Sequence, residues 1–292
     1  MIGRDPRTEP RGVEAARRVT LEIFTILEDF GEGLTLIGGS APPVLVGDPK
    51  GDPYLGTLDV DVLIDPIEIP EEVYATIGGR LLDRGYVGGE APFQWLRTVR
   101  IDDQDIEVRV DLLAPETDRR GHGHRHEVVD HVVVARRLEG GELVRDSYER
   151  REVVGVLPDG RRNRIQIRVA AGASFIVLKA LAMAGRDKAK DAYDIDFVLT
   201  HVQGGPDRIA SDMFALGDVA PVKRALGILR SKYESAEAYG PGGAALYRGA
   251  VSGSDEAAEV RARAFARVRL LLRRYDEIAA DHEEGNASKR TT

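Results

Sequence analysis

Two aspartates interrupt an otherwise apolar strand pattern near residue 60, and their spacing is the first indication of chemistry. The segment Thr57–Ile64 reads TLDVDVLI, so Asp59 and Asp61 alternate with leucine and valine. Side chains alternate between the two faces of a strand, so both carboxylates share one face, about 7 Å apart. Two carboxylates that close repel unless a cation neutralises them, and hard oxygen ligands select Mg²⁺ or Mn²⁺. The pattern predicts a divalent-metal site; the competing interpretation is a half-exposed strand whose acids face solvent.

A third carboxylate lies on a later predicted strand. In IEVRVDLL, residues 106–113, Arg109 and Asp111 alternate with apolar residues, and the preceding DDQD predicts a hairpin turn. If this strand pairs beside the first, Asp111 joins Asp59 and Asp61. Phosphoryl and nucleotidyl transfer use three carboxylates around one or two metals, because one metal activates the attacking hydroxyl and the other holds the triphosphate and the leaving pyrophosphate.

A glycine-rich turn precedes the aspartate strand. Gly38, Gly39 and Ser40 follow a predicted strand at 34–37 and open a predicted short helix at 40–46. Glycines let the backbone approach phosphate, a helix N-terminus offers N–H groups, and the serine hydroxyl adds a donor. A simple turn is the alternative. Together with the acids, the turn favours a nucleotide-phosphate site.

A lysine stands inside an apolar helical segment, FIVLKALAMA at 175–184. A buried lysine costs free energy unless it is paired, so Lys179 either pairs with a structural acid or reaches a triphosphate. Arg186 lies seven residues on, on the same helix face. Lys190 and Asp191 open the next predicted helix, where the acid also suits a helix cap. With the acid cluster elsewhere in the chain, we expect a phosphate-binding role for these residues.

These motifs resemble those of the DNA polymerase β-like nucleotidyltransferase superfamily. The matching segments are IGGS at 37–40, TLDVDV at 57–62 and VDLL at 110–113. The resemblance implies that the Gly-Ser turn holds the nucleotide phosphates and that the three acids hold Mg²⁺ or Mn²⁺. The string from Lys179 to Asp194 is similar to the KLxAxxxR and KDxxD signatures of the AbiEii-type branch, whose members are often toxins of toxin–antitoxin pairs.

The branch resemblance implies further expectations about partners. Some members act on tRNA ends, so it implies NTP as substrate, tRNA as one acceptor and a cognate antitoxin as a partner. The basic residue that usually precedes the acid pair in this branch is replaced here by Gly56 or Thr57. The nucleotide and the acceptor are therefore open at this point.

Composition limits the other classes. The chain has 292 residues, a net charge of −8 and no cysteine, which excludes disulfides and thiolate chemistry. The N-terminus has no signal-peptide pattern and no apolar run reaches the ~20 residues of a membrane span, so we expect a cytoplasmic protein without membrane contact. Four of the six histidines lie between His122 and His131, and their glycine-rich surroundings favour a solvated loop over a metal site.

Hydrophobic periodicity predicts an α/β protein: a nucleotidyltransferase-type mixed β-sheet with flanking helices, followed by a C-terminal helical region. We expect an α/β core at 1–169, a helical region at 170–285 that completes the active-site cleft, and a disordered tail at 286–292. Strands are predicted at 34–37, 57–64, 94–101, 106–113, 128–137 and 153–169, the last with a turn at 159–160. Helices are predicted at 11–30, 40–46, 70–84, 172–185, 189–201, 206–215, 219–236 and 255–281.

The function expected from the sequence is metal-dependent transfer of NMP from NTP to an acceptor hydroxyl. The acceptor would be a tRNA 3′ end, a protein or a small molecule. Two alternatives stay open: a non-catalytic nucleotide-binding or partner-binding module on the same fold, and a glycosyltransferase that uses Asp59 and Asp61 with a nucleotide-sugar.

Overall fold

The structure is a computed structural model that describes residues 10–47, 49–69, 71–116, 126–128 and 134–290. The chain divides into two compact units, Met1–Ala171 and Gly172–Thr292. In the described residues the first unit is an open mixed sheet with flanking helices, and the second is helical. The predicted α/β class, with a helical region after the sheet, is confirmed at this level.

The described part of the first unit contains three α-helices and nine strands. The helices are α1 (Pro10–Ile26), α2 (Ala41–Val46) and α3 (Glu71–Asp83). The strands are β1 (Leu34–Ile37), β2 (Asp59–Ile64), β3 (Val87–Gly88), β4 (Gln94–Ile101), β5 (Gln104–Pro115), β6 (His126–Val128), β7 (Val134–Leu138), β8 (Tyr148–Val156) and β9 (Arg162–Ala170). Short 3-10 helices occupy Glu28–Gly33, Gly38–Ser40 and Gly141–Arg145.

The sheet has the order β3-β4-β5-β2-β1-β9-β8, and β7 pairs with both β5 and β6. The pairs β2–β5, β1–β9 and β5–β7 are parallel, and the remaining pairs are antiparallel. The two strands that carry the predicted acids, β2 and β5, are therefore direct neighbours near the middle of the sheet.

One face of this sheet is packed beneath α1, whose apolar side contacts β2, β4, β5, β8 and β9. The alternation within β2 and β5 sends valines to this face, and Val60, Val62, Val108 and Val110 have no solvent exposure. Each such burial stabilises the fold by about 1.5–3 kcal/mol. The side chains that alternate with these valines, which include the acids, lie on the opposite face of the sheet.

The second unit contains six helices in its described residues, which pack through apolar faces. They are α4 (Gly172–Gly185), α5 (Ala189–His201), α6 (Gly205–Ala215), α7 (Ala220–Lys232), α8 (Tyr239–Tyr247) and α9 (Asp255–Arg290). Helix α4 contacts α5, α6 and α7, and α8 contacts α5 and α9. Helix α4 is apolar almost all round, as a helix enclosed by others requires. No helix in the described ranges combines the length and apolarity needed to cross a membrane.

The structure differs from the predicted elements at several points. The strand predicted at 128–137 is two strands, β6 and β7, paired antiparallel. Helix α8 was not predicted, because its sequence YGPGGAALY contains glycines and a proline that usually mark loops. Helix α9 continues to Arg290, past the end at 281 that the sequence predicts. Of the histidine cluster, His122, His124 and His131 lie outside the described residues, and only the backbone of His126 is described, in β6.

Candidate functional site

Strand register brings the three predicted acids together. In the parallel pair of β2 and β5, Asp61 lies beside Asp111, and Asp59 lies beside Arg109. Neighbouring strands are about 4.8 Å apart, and residues in register point to the same face. The three carboxylates therefore share one patch of the sheet face opposite α1, which we call the acidic site.

The glycine turn lies against this patch. In the antiparallel pair of β1 and β2, Ile37 lies opposite Asp61, so Gly38 follows directly beside that carboxylate. Gly38 has a φ of 64°, a conformation that L side chains rarely adopt. A Cβ atom on Gly38 would also overlap the carboxylate of Asp61. The turn and the acid thus require glycine at this position.

Two hydroxyl groups fix the turn to its surroundings. Ser40 Oγ donates to the carbonyl oxygen of Asp59 over 2.9 Å, and Tyr54 Oη donates to the carbonyl oxygen of Gly39 over 2.8 Å. Ser40 thus holds the start of the aspartate strand, and Tyr54 ties the loop before β2 to Gly39. The sequence indicated Ser40 as a phosphate donor but gave no role to Tyr54.

Replacement of Gly38 by alanine is expected to destabilise the protein by about 1–3 kcal/mol, because the left-handed backbone is strained for alanine and the added methyl displaces Asp61. Urea unfolding of Gly38→Ala measures the loss. Gly160→Ala is the control, since Gly160, in the turn between β8 and β9, also has positive φ but has open space around its Cβ direction. Equal losses in the two variants would show that only backbone strain matters and that Asp61 does not need Gly38.

Arg109 bridges two of the acids. Its Nη2 lies 2.9 Å from Asp59 Oδ2, and its Nε lies 3.2 Å from Asp111 Oδ1. The second contact is ionic only, because Arg109 Nε and Asp111 Oδ1 are both buried and neither makes a hydrogen bond. The alternation of β5 predicts Arg109 on the same face as Asp111, but nothing in the sequence pattern indicates a function for it.

Asp111 has an environment that disfavours its charge. The residue is buried at 5% exposure. Burial, and next the charge of Asp61, raise the pKa of Asp111 from 3.8 to about 6, and Arg109 opposes this rise. A divalent cation at this point would reverse the balance, because it stabilises the ionised carboxylate.

The atoms that the acidic site offers are of the type that Mg²⁺ and Mn²⁺ bind. They are carboxylate oxygens on three neighbouring positions, and Asp111 Oδ1 lacks a hydrogen-bond partner. In the described residues, however, no group of three or more histidine or acidic side chains stands at metal-binding geometry. The guanidinium of Arg109 lies against two of the three carboxylates. A metal ion would have to take its place.

The predicted phosphate-binding cations form a cluster within the helical unit. Lys179 is buried at 7% exposure, and its Nζ lies 3.1 Å from Asp191 Oδ1 and 2.6 Å from Asp194 Oδ2. Arg186 binds Asp191 through both Nε and Nη2, and Lys190 binds Asp194. The pairing of Lys179 with a structural acid, which the sequence left as the alternative, is thus present in the structure.

Opposing effects act on Asp191. Its burial alone would raise its pKa, but the neighbouring charges of Lys179 and Arg186 lower the pKa below the ordinary value of 3.8. Asp191 is therefore ionised at neutral pH and serves as an anchor for two cations. Contact with a triphosphate stays a prediction for Lys179, Arg186, Lys190 and Asp191.

A pocket of about 370 Å³ lies in the first unit beside the glycine turn. Its lining includes Arg17 of α1, Gly39, Ser40, Thr57 and Val153 of β8. None of the three acids is among its described lining residues. The pocket therefore reaches the back of the turn, while the acidic site lies on the other face of the sheet.

Comparison with known proteins places the chain in no family. No protein-family model matches it, and no curated protein matches it.

Proposed function

We propose that this chain is a metal-dependent nucleotidyltransferase that transfers NMP from an NTP to an acceptor hydroxyl and releases pyrophosphate. One observation supports the proposal above the others: the parallel register that places Asp61 beside Asp111, with Asp59 on the same face. Three carboxylates beside the glycine turn at Gly38 form a donor set of the kind that metal-assisted nucleotidyl transfer requires.

Each residue of the acidic site has a role in this proposal. Asp59, Asp61 and Asp111 would hold Mg²⁺ or Mn²⁺, which when bound supplies positive charge for the triphosphate and the leaving pyrophosphate. Asp111 also orients the acceptor hydroxyl or accepts its proton. Ser40 positions Asp59 through its carbonyl group.

The phosphate-binding residues are the second part of the proposal. The turn Gly38-Gly39-Ser40 faces the acidic site through Gly38 and is assigned to the nucleotide phosphates. In the helical unit, three basic side chains form ion pairs with two acids. The basic residues are Lys179, Arg186 and Lys190, and the acids are Asp191 and Asp194. These cations are assigned a phosphate-binding role on the motif resemblance described above.

The acceptor follows from the AbiEii-type resemblance and not from geometry. We propose a tRNA 3′ end, in a toxin that is neutralised by a cognate antitoxin. A protein hydroxyl or a small molecule is the alternative acceptor for the same chemistry. A net charge of −8 means that RNA would have to be held by a local basic surface, since the overall field repels phosphate.

The test is incubation of the purified protein with Mg²⁺ and each α-³²P-labelled NTP, with and without total tRNA, read on a denaturing gel. Label on tRNA with one NTP, lost in Asp61→Ala, is the expected result. Label on protein would move the acceptor to a protein hydroxyl. The absence of label with tRNA, protein and a panel of small hydroxyl compounds would overturn the proposal.

A non-catalytic nucleotide-binding module is the second candidate, and Arg109 favours it. An arginine bound to Asp59 and Asp111 partly neutralises the acids without any metal, as a protein that performs no metal chemistry requires. Tight NTP binding that is independent of Mg²⁺, without pyrophosphate release on any acceptor, would identify this module.

A further inference from the structure

We propose that Arg109 closes the acidic site to free divalent metal ions and opens it when a metal ion arrives together with a polyphosphate. The inference rests on the proposed function for the identity of the polyphosphate, an NTP. Its first part, competition between Arg109 and the metal ion, concerns this chain's own residues and can be measured without any transfer reaction.

The guanidinium group of Arg109 occupies the place where a metal ion would bind. Arg109 lies within 2.9 Å of Asp59 and 3.2 Å of Asp111. Asp59 precedes Asp61 on β2, and Asp111 is the β5 partner of Asp61. A cation already stands where a metal ion would bind. Because like charges exclude one another from one set of ligands, metal binding and the present position of Arg109 are mutually exclusive.

The contacts of Arg109 allow it to leave. Its side chain is 38% exposed and that of Asp59 is 29% exposed, and ion pairs with this much solvent contribute little to stability. The contact with Asp111 is not aligned as a hydrogen bond. Arg109 therefore shields the acids without being locked to them, unlike Arg97, whose pair with Glu22 is largely buried and hydrogen-bonded twice.

A displaced guanidinium needs a new anion, and this requirement couples the metal to the polyphosphate. Arginine binds phosphate oxygens in the same two-pronged manner in which it binds carboxylates. A metal ion alone displaces Arg109 and leaves its charge without a partner beside the metal. When both ligands are present, the metal ion replaces Arg109 at the carboxylates and the polyphosphate becomes the new partner of Arg109. Each ligand should therefore increase the affinity of the protein for the other.

The test is a Mn²⁺ titration of metal-stripped protein followed by electron paramagnetic resonance. The variant Arg109→Gln keeps a side chain of similar polarity and removes the charge. It is expected to bind Mn²⁺ about tenfold more tightly than the wild type in the absence of nucleotide. Arg100→Gln is the matched control, since Arg100 pairs with acids of the same hairpin at an exposed position. It should bind Mn²⁺ as the wild type does.

Thermal unfolding tests the coupling. We expect the wild type to be stabilised by Mn²⁺ with inorganic tripolyphosphate and only slightly by Mn²⁺ alone. Arg109→Gln should be stabilised by Mn²⁺ alone. Tripolyphosphate is used because it carries the charge of an NTP without a base.

Unchanged or weaker Mn²⁺ binding by folded Arg109→Gln overturns the inference. If that variant does not fold, Arg109→Lys takes its place: one ammonium group cannot bridge both carboxylates, so at least threefold tighter Mn²⁺ binding is expected, and equal affinity overturns the inference. Tighter Mn²⁺ binding in a protein that transfers no nucleotide would overturn the proposed function and leave the role of Arg109 in place.

Discussion

Asp111→Asn is expected to abolish nucleotidyl transfer and, at the same time, to make the metal-free protein more stable. Loss of one of three metal-binding carboxylates, which is also the candidate base, should lower the rate by about 10³-fold or more. Stability should rise because the buried carboxylate carries a charge that its surroundings disfavour. Asparagine has nearly the same shape and no charge.

The pH dependence gives the sign of the stability effect. The pKa of Asp111 is raised from 3.8 to about 6 in the folded protein, so the unfolded chain loses this proton more readily. In the metal-free wild type, stability is therefore lost as pH rises from about 4 to about 6, and the loss persists above that range. The variant lacks this loss, and its advantage should reach about 1–3 kcal/mol above pH 7.

Urea unfolding in a chelating buffer between pH 4 and pH 8 measures this advantage, and the labelled-NTP reaction measures the loss of transfer. Asp105→Asn is the matched control, because Asp105 lies on the same strand with an exposed side chain. It should change neither quantity appreciably. An Asp111→Asn variant that keeps full activity would contradict the mechanism, and one that is less stable than the wild type above pH 7 would contradict the electrostatic account of Asp111.

Lys179→Met is expected to destabilise the protein by about 3–5 kcal/mol, because it leaves two buried carboxylates without their central cation. Asp191 is 2% exposed and Asp194 is fully buried, and both lie within 3.1 Å of Lys179 Nζ. The double variant Lys179→Met with Asp194→Asn should recover part of the loss, since it removes one of the two buried negative charges that Lys179 balances.

Unfolding of the helical unit, followed by circular dichroism and urea titration, measures these effects. The difference between the wild type and Lys179→Met should shrink as pH falls through the range in which carboxylates take up protons. The low pKa of Asp191 contributes stability above the ordinary carboxylate pKa, and that contribution is lost on acidification. Lys223→Met is the control, since Lys223 forms an exposed pair with Asp218. A Lys179→Met variant of unchanged stability would show that the buried pairs do not hold the helices together.

The acidic site could be anticipated from the sequence because its acidic and apolar residues alternate with a period of two, which is typical of a β-strand. Alternating acids inside an apolar run place Asp59 and Asp61 on one face of a strand, and the same alternation applies to Asp111. The step that the sequence left conditional was the pairing of the two strands. Parallel pairing of β2 with β5 depends on contacts between segments that are distant in the sequence. The structure shows this pairing.

Other features depend on partners that sequence patterns do not display. Arg109 was on the right face, but its contact with Asp59 follows from inter-strand register, not from spacing along the chain. The pairing of Lys179 with Asp191 and Asp194 joins two helices across a turn. Helix α8 forms despite a glycine-rich sequence because it packs against α5 and α9, so tertiary contact outweighs weak local preference.

The shared register of β2 and β5 restricts how this protein can change length during evolution. One residue inserted between Asp59 and Asp61, or between Arg109 and Asp111, would turn the residues beyond it to the α1 face, placing carboxylate or guanidinium groups into the apolar core. The tip of the β4–β5 hairpin has no such restriction, because Asp102 already adopts a left-handed turn conformation and its side chain is exposed. Natural variants of this chain should therefore differ in length at that tip and keep the two strands free of insertions and deletions.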